Sequence, residues 1–531
     1  MEETIKLNQI TSALIFAFNE GAPKSYPPGT TMLRVSQSVS FIAFLYERMR
    51  NAVEYREEHL IRRTAIERIL RRRLMLNESG RGIAESITRE LLWARYLENG
   101  SVSEDKIGEI QVSIDKYLHL KNEVVTGRPH EEQKKMVTFI LEILASEIEE
   151  KLVPNPRREA FTNFVYQIMR ERVSFEDMAE EEKDRQIYIG VERAFARSDE
   201  PLIKFHLFKL YFPDFNQGTW ELVPQIAPHF KEAYEQLDKD VAYPLGDTVR
   251  RLIKKEIPPF LILRDLFDEL PEKIEEILTS AQISRNKIDQ VCRRRYQEIG
   301  TKLRRAGVRA IIYIFLTKMI FALLLEYPFD KFLAQQVTLV PLVVNSLFPP
   351  FLMVLVVLAI SVPGEDNTKR IIQRIKEIIT LPPSAFTPKA PVIKKIKPRR
   401  PILTLGFTAI YLLGFLFSFG TVIFLLTKFK FNVISQLIFL FFLTVVSFFG
   451  YRIRQTSREY LLVEKEGVLA PLVDFFLIPI ISVGKWLSAE IAKLNLLLAF
   501  FDILIEAPFK GIFEVVEEWI NFVRVKKEEI I

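Results

Sequence analysis

The chain has 531 residues, a formal net charge of +6, a pI near 9.0 and a mean hydropathy of +0.10. Its single cysteine, Cys292, excludes an internal disulfide framework and any cysteine-based zinc cluster. The mean hydropathy averages two unlike parts, because residues 1–307 are charged and mixed whereas residues 308–531 contain long apolar runs. The length allows more than one domain.

The N-terminal sequence MEETIKLNQITSALIFAFNEG opens with acidic residues, and its apolar stretch 13–18 is too short for the core of a signal peptide. We therefore expect residues 1–307 to stay in the compartment where they are made. In this part of the chain apolar residues recur at intervals of three and four, which predicts one helix after another and no sheet.

The predicted helices are interrupted by clear start and stop signals. Ser101 and Glu104 have the spacing of a capping box, and Asp199 before Pro201 is typical of a helix start. The breaker cluster 154–156 divides the part into two cytoplasmic helical regions, 1–153 and 154–307. The helices are predicted at about 35–53, 59–76, 83–96, 101–125, 131–152, 157–172, 176–197, 202–211, 225–238, 246–255, 260–270 and 271–306.

Four apolar stretches between 308 and 451 each approach the roughly 20 residues that a helix needs to cross a bilayer. Basic residues are dense before the first, between the second and third and after the fourth, and sparse elsewhere, with Lys428 and Lys430 as a mild exception. This asymmetry predicts an integral protein of the plasma or inner membrane, with both termini and the 362–401 connection in the cytoplasm. The spans are predicted at about 308–327, 338–361, 402–426 and 433–451.

The 362–401 connection contains KRIIQRIKEIIT (369–380), with isoleucines on one helical face and basic residues on the other. Such a helix is suited to an anionic lipid surface. The alternative is a solvated basic loop, because basic residues flank spans for topological reasons alone. The basic residues expected at the membrane surface are Arg293, Arg294, Arg295, Arg304, Arg305, Lys369, Arg370, Arg374, Lys394, Lys395, Lys397, Arg399 and Arg400.

The tail 452–531 contains two apolar segments, 470–487 and 494–509, that acidic residues and prolines interrupt. We expect both to be interfacial or re-entrant helices on the cytoplasmic side. In the alternative both cross the membrane, which gives six spans and leaves the C-terminus cytoplasmic as well.

No sequence motif points to catalysis, to a cofactor or to a metal. The chain lacks a phosphate-binding GxxxxGK[ST] loop, an HExxH pair and a GxSxG, DFG or HRD element. The arginine-rich helix 59–76 spreads its charges over several faces, so we expect a solvated helix, or one that faces the acidic run 176–184, and not a nucleic-acid-binding one.

Lys318 lies near the middle of the first predicted span, about 13 Å deep at 1.5 Å per residue. A charge at that depth costs at least ~2.5 kcal/mol and needs a partner. Pro349 and Pro350 remove the helical donors for the carbonyls of residues 345 and 346, so we expect Lys318 to donate to this broken turn around Asn345. Glu326 is expected near the external interface, solvated or paired with Lys331.

The predicted fold is therefore all-α: a cytoplasmic helical domain, a four-span bundle and an interfacial tail. The function favoured by so few polar groups in the spans is a membrane-anchored scaffold whose cytoplasmic domain binds a protein partner. The alternative is an ion or small-solute transporter or channel, with Lys318, Asn345, Pro349 and Pro350 as its intramembrane site.

Overall fold

The structure, a computed structural model, is all-α in the residues that it describes, which confirms the predicted fold class. Eighteen α-helices are accompanied by one two-residue parallel strand pair, Ser174–Phe175 with Val392–Ile393. The described residues are 5–22, 27, 29–36, 57–77, 79–216, 218–326, 328–329, 339–360, 362–382, 385, 392–393, 401–462 and 470–493.

The chain forms two compact units. The N-terminal unit contains the described residues of 9–254 and 382–394, and the C-terminal unit contains those of 1–8, 255–381 and 395–495. The four predicted regions 1–153, 154–307, 308–451 and 452–531 concern membrane sidedness and stay predictions. The helices of the N-terminal unit are α1 (Gln9–Glu20), α2 (Glu58–Leu76), α3 (Ile83–Trp93), α4 (Glu104–Val125), α5 (His130–Leu152), α6 (Pro156–Arg172), α7 (Glu180–Val191), α8 (Glu200–Tyr211), α9 (Val223–Val241) and α10 (Gly246–Glu256).

Helix starts in this unit follow local capping. Asp199 caps α8 as predicted, and its carboxylate accepts a hydrogen bond from Leu202 N at 3.2 Å. The capping-box prediction at Ser101 was wrong, because Ser103 directly precedes the first helical residue and its Oγ accepts from Lys106 N at 3.3 Å. Most of the predicted helix 35–53 lies outside the described residues.

The core of the N-terminal unit surrounds α5, which contacts α2, α4 and α8. Phe139 of α5 lies with its ring centroid 6.4 Å from that of Phe208 and 5.9 Å from that of Phe230. A buried ion pair adds to this packing, since Lys116 Nζ lies 3.2 Å from Glu147 Oε1 and donates to the Phe215 carbonyl at 2.6 Å. Buried charges in this unit are therefore matched by named partners.

His206 on α8 joins two glutamates. Its Nε2 lies 2.6 Å from Glu150 Oε1, and its Nδ1 lies 3.1 Å from Glu192 Oε1. Glu192 opens a π-helical turn, Glu192–Ala196, and also accepts from Ser198 Oγ at 2.5 Å. Burial lowers the pKa of His206, but the two carboxylates outweigh burial and raise it to about 9. His206 is therefore a largely buried imidazolium at neutral pH.

This histidine makes the stability of the fold depend on pH. Its pKa rises from 6.5 to about 9 on folding, so its stabilising effect is fully present below pH 6.5 and is lost as the pH rises through about 9. At about 1.4 kcal/mol per unit, the effect reaches at most roughly 3.5 kcal/mol. We expect thermal unfolding of the full chain between about pH 6 and about pH 10 to show this loss. His206→Gln should flatten the profile, and the exposed His229→Gln should leave it unchanged.

The C-terminal unit contains three helices that are long and apolar enough to cross a membrane: Ala281–Leu324, Leu405–Lys428 and Val433–Ser457. They match the first, third and fourth predicted spans, which is consistent with a membrane protein. The helices of this unit are α11 (Pro258–Glu269), α12 (Ile274–Thr279), α13 (Ala281–Phe321, extended by the π-turn Ala322–Glu326), α14 (Leu339–Ala359), α15 (Glu365–Thr380), α16 (Pro401–Lys428), α17 (Val433–Ser457) and α18 (Ala470–Lys493).

Among the described residues three helices qualify as spans, so the prediction of four spans is corrected to three. The predicted span 338–361 contains α14, whose described apolar part is the shorter helix Val343–Ala359. The first span also differs, because the predicted helix 271–306 breaks at Ser280, and its part from Ala281 continues without a loop into the first span as the single helix α13.

The amphipathic helix α15 packs on protein instead of lipid. Its apolar face is buried against α11 and α13, so the prediction that this face lies on a lipid surface was wrong. Asn8 Nδ2 donates to the carbonyls of Ile378 and Leu381 at the C-terminus of α15, at 2.8 Å and 2.7 Å. The apolar residues that are at most 1% exposed are Ile371, Ile375, Ile378 and Ile379.

Helix α18 contains the predicted tail segment 470–487 and packs against α16 and α17. Ser418 Oγ of α16 donates to the Phe476 carbonyl at 2.9 Å. A Cβ at Gly484 would overlap the Thr444 carbonyl of α17. Close backbone approach at small residues is typical of helix packing inside membranes. The second predicted segment, 494–509, lies outside the described residues.

This close approach yields a matched pair of substitutions. Gly484→Ala should destabilise the purified protein by about 1–3 kcal/mol, because the added methyl group forces α18 away from α17. Gly420→Ala on α16 adds the same methyl group where nothing lies within 4 Å. It should leave stability unchanged or raise it slightly. Thermal unfolding in detergent compares them, and equal effects of the two substitutions would contradict this packing.

Candidate functional site

A buried ion pair lies inside the apolar bundle. Lys318 Nζ of α13 lies 3.0 Å from Glu326 Oε2, and both side chains are 0% exposed. The ammonium group also lies 5.4 Å from the ring centroid of Phe442 on α17. The neighbouring positions 312, 313, 315, 316, 319 and 320 of α13 are exposed and apolar, so Lys318 lies on the face turned toward the other helices.

The π-turn explains how Lys318 and Glu326 meet. Residues eight apart in an α-helix differ by about 80° around the axis, so an unbroken helix would point the two side chains in different directions. A π-turn takes more residues per turn, so each residue rotates less. The turn Ala322–Glu326 therefore brings Glu326 back toward the face that carries Lys318.

Asn345 of α14 completes the site. Its Nδ2 donates to Glu326 Oε1, and also to the backbone carbonyl of Ser435 on α17 at 3.1 Å. Asn345 is fully buried, and its Oδ1 has no hydrogen-bond partner among the described residues. The site therefore connects three helices through one carboxylate, one ammonium group, one amide and one carbonyl.

Pro349 and Pro350 are buried within α14, which continues through both of them. Since proline has no N–H, the carbonyls of Asn345 and Ser346 lack their usual donors four residues later. The helix is continuous at this point, but its polar backbone is locally under-bonded.

The structure brings Lys318 and Asn345 together, but through a residue that sequence reasoning misplaced. The direct partner of Lys318 is Glu326, so the expectation that Glu326 is solvated was wrong, whereas Lys331, its other expected partner, lies outside the described residues. The available signal was that Glu326 is the nearest acidic residue after Lys318 along the same apolar run. The eight-residue spacing concealed it, because a regular helix places the two on different faces.

The predicted basic surface divides into three groups. Arg293 pairs with Asp289 but is exposed, Arg294 pairs with Glu269, and Arg295 pairs with both Asp265 and Glu298. Arg374 pairs with Glu377 and Glu256. Further exposed members are Arg304, Arg305, Lys369 and Arg370, and the members outside the described residues are Lys394, Lys395, Lys397, Arg399 and Arg400.

The chemistry of the bundle site is that of a compensated charge. Lys318 and Glu326 together carry no net charge, which makes their burial in an apolar surrounding tolerable. Among the described residues, no group of three histidine, cysteine or acidic side chains is placed to hold a metal ion. No known protein family, curated protein or solved structure matches this chain.

Removal of one charge at a time tests the pair. Lys318→Met leaves Glu326 buried without its counter-charge and should destabilise the protein by about 3–5 kcal/mol. The double variant Lys318→Met/Glu326→Gln removes both charges and should recover most of that loss. Thermal unfolding in detergent measures both, with the exposed Lys302→Met of the same helix as the control. Additive losses in the double variant would contradict direct pairing.

Proposed function

We propose that the chain is a membrane-anchored interaction protein, in which the apolar helices of the C-terminal unit hold the chain in the bilayer and the N-terminal unit binds a protein partner. The observation that carries this proposal is the internal compensation of Lys318 by Glu326. A charge neutralised within the bundle connects α13, α14 and α17 and so contributes to a fixed anchor.

The N-terminal unit supplies the surface for a partner. Large apolar and aromatic side chains that are exposed on a folded unit are typical of protein contact sites. Leu210 at the end of α8 is 65% exposed, and Trp220 is 50% exposed and stacks on His119 at a centroid distance of 5.1 Å. We place the partner on this part of the unit and the exposed cations Arg304, Arg305, Lys369 and Arg370 at anionic lipid headgroups.

The proposed orientation follows the distribution of basic residues. It places 1–307 and the 362–401 connection on the cytoplasmic side, together with both termini. This orientation gives the N-terminal unit access to cytoplasmic partners, as an interaction protein requires.

A second function, transport of an ion or a small solute, is favoured by one observation. Asn345 Oδ1 is a buried acceptor without a partner among the described residues, beside a charged pair within the bundle. Buried polar groups of this kind mark ion and substrate sites in transporters.

Flux separates the two functions. We expect the purified full chain in sealed liposomes to pass no protons, sodium, potassium or chloride, both as wild type and as Lys318→Met. A transporter would instead show flux in the wild type that Lys318→Met abolishes. Size-exclusion profiles of both proteins show whether each is folded, so that absent flux is not mistaken for a collapsed protein.

A photo-crosslinking amino acid tests the partner surface directly. In native membranes, crosslinkers at 210 and 220 should form a discrete adduct with a protein. A crosslinker at 412, where Leu412 of α16 is 69% exposed on an apolar helix, should form adducts with lipid only. Identical adducts at all three positions, or no protein adduct at 210 and 220, would overturn the proposal.

A further inference from the structure

Helix α13 carries two groups of arginines in different surroundings. The arginines of the first group lie in the polar half of the helix, and each pairs with a carboxylate of the protein. Those of the second group lie where the apolar half begins, are exposed, and form no ion pair with another described residue. The first group is Arg293, Arg294 and Arg295, and the second is Arg304, Arg305 and Arg309.

Arg305 and Arg309 lie on the side of α13 that faces away from the other helices. At about 100° per residue, both point almost opposite to the buried positions of this part of the helix, among them Gly307 and Ile314. Exposed apolar residues continue the same side of the helix. This outward stripe consists of Arg305, Arg309, Ile312, Leu316, Ile320 and Leu323.

The neighbouring helices add no negative charge at the height of the two arginines. A Cβ at Gly307 would lie 2.7 Å from Val357 of α14, and one at Gly450 of α17 would lie 2.6 Å from the adjacent Val356. The three helices therefore meet at one height, and two further arginines follow Gly450 within about one turn. The segments around this height contain no acidic residue: 301–312, 351–362 and 447–458.

The outward stripe has the dimensions of one lipid in one leaflet. Arg305 and Arg309 are one helical turn apart, about 6 Å, so both side chains can reach one phosphate group. Guanidinium groups bind phosphate through paired hydrogen bonds. From Ile312 to Leu323 the stripe rises about 17 Å, against roughly 15 Å for half of a bilayer core. A phospholipid therefore matches the stripe in charge and in length.

We propose that the outward stripe of α13 binds one anionic phospholipid, whose phosphate group lies at Arg305 and Arg309 and whose acyl chain lies along the apolar residues. This inference rests on the membrane anchor of the proposed function and names its lipid partner. An anionic lipid is favoured over a zwitterionic one, because a choline group would add another cation to a surface that already has several. The lipid thus supplies the negative charge that the protein does not.

Lipid binding to the purified full chain in detergent measures this preference. Native mass spectrometry counts the lipids bound during titration with phosphatidylglycerol, or with phosphatidylcholine of the same acyl chains. We expect one phosphatidylglycerol per chain to bind more tightly than any phosphatidylcholine. Arg305→Gln/Arg309→Gln should weaken this binding about 30-fold, since each cation near a lipid headgroup contributes about fivefold.

A matched double variant removes the same charge from the same helix. Arg285→Gln/Arg293→Gln lies at least about 18 Å along α13 from Arg305 and should bind phosphatidylglycerol as the wild type does. Thermal unfolding shows whether each variant is folded. If Arg305→Gln/Arg309→Gln fails to fold, Arg305→Gln alone takes its place and should bind about fivefold more weakly.

Three results would overturn the inference. The first is equal binding of the two lipids by the wild type. The second is an equal loss of affinity in Arg305→Gln/Arg309→Gln and in Arg285→Gln/Arg293→Gln. The third is competition by glycerol 3-phosphate at the same concentration as the lipid, because this headgroup has no acyl chain and would show anion binding without the apolar residues.

The failure of this inference and the failure of the proposed function give different results. Equal binding of the two lipids, with protein adducts at 210 and 220 intact, removes the lipid site and leaves the interaction protein. One tightly bound phosphatidylglycerol without those adducts leaves the lipid site and removes the partner surface. A full chain that does not stay with membranes removes the anchor and the lipid site together.

Discussion

The C-terminal unit depends on one constraint: a charge inside an apolar bundle must be neutralised where it lies. Lys318 satisfies this constraint through Glu326, and Glu326 in turn holds Asn345. Because Asn345 also donates to Ser435, the charge compensation extends from α13 through α14 to α17. Loss of any one of these groups exposes the others to an apolar surrounding that offers no water as a substitute. The positions of three helices are therefore coupled to one carboxylate.

The two units handle buried charge in different ways. In the N-terminal unit, His206 stays protonated because two glutamates flank it, and Glu147 is surrounded by three donors. Surplus hydrogen bonding of this kind makes a network rigid. In the bundle, one ion pair and one amide carry the polar contacts between three helices. The N-terminal unit therefore distributes its buried charges over several contacts, whereas the bundle concentrates them in one site.

Fold class and most helix positions follow from the sequence, because apolar residues at intervals of three and four specify both the helix and its buried face. The position of the Glu326 side chain does not follow from the sequence, because it depends on a π-turn that no residue pattern predicts. The partner of the apolar face of α15 also stays hidden in the sequence. Its isoleucines predict a buried face, but either lipid or protein can cover such a face. Which of the two covers it depends on contacts with helices that are distant in sequence.

The compensated pair also limits which changes the bundle can accept. Removal of either charge alone leaves the other in an apolar surrounding, at a cost that no neighbouring group offsets. Removal of both charges leaves only neutral polar groups at this point of the bundle. Positions 318 and 326 therefore act as one unit, and the contacts of Asn345 with Glu326 and Ser435 extend this dependence to α14 and α17.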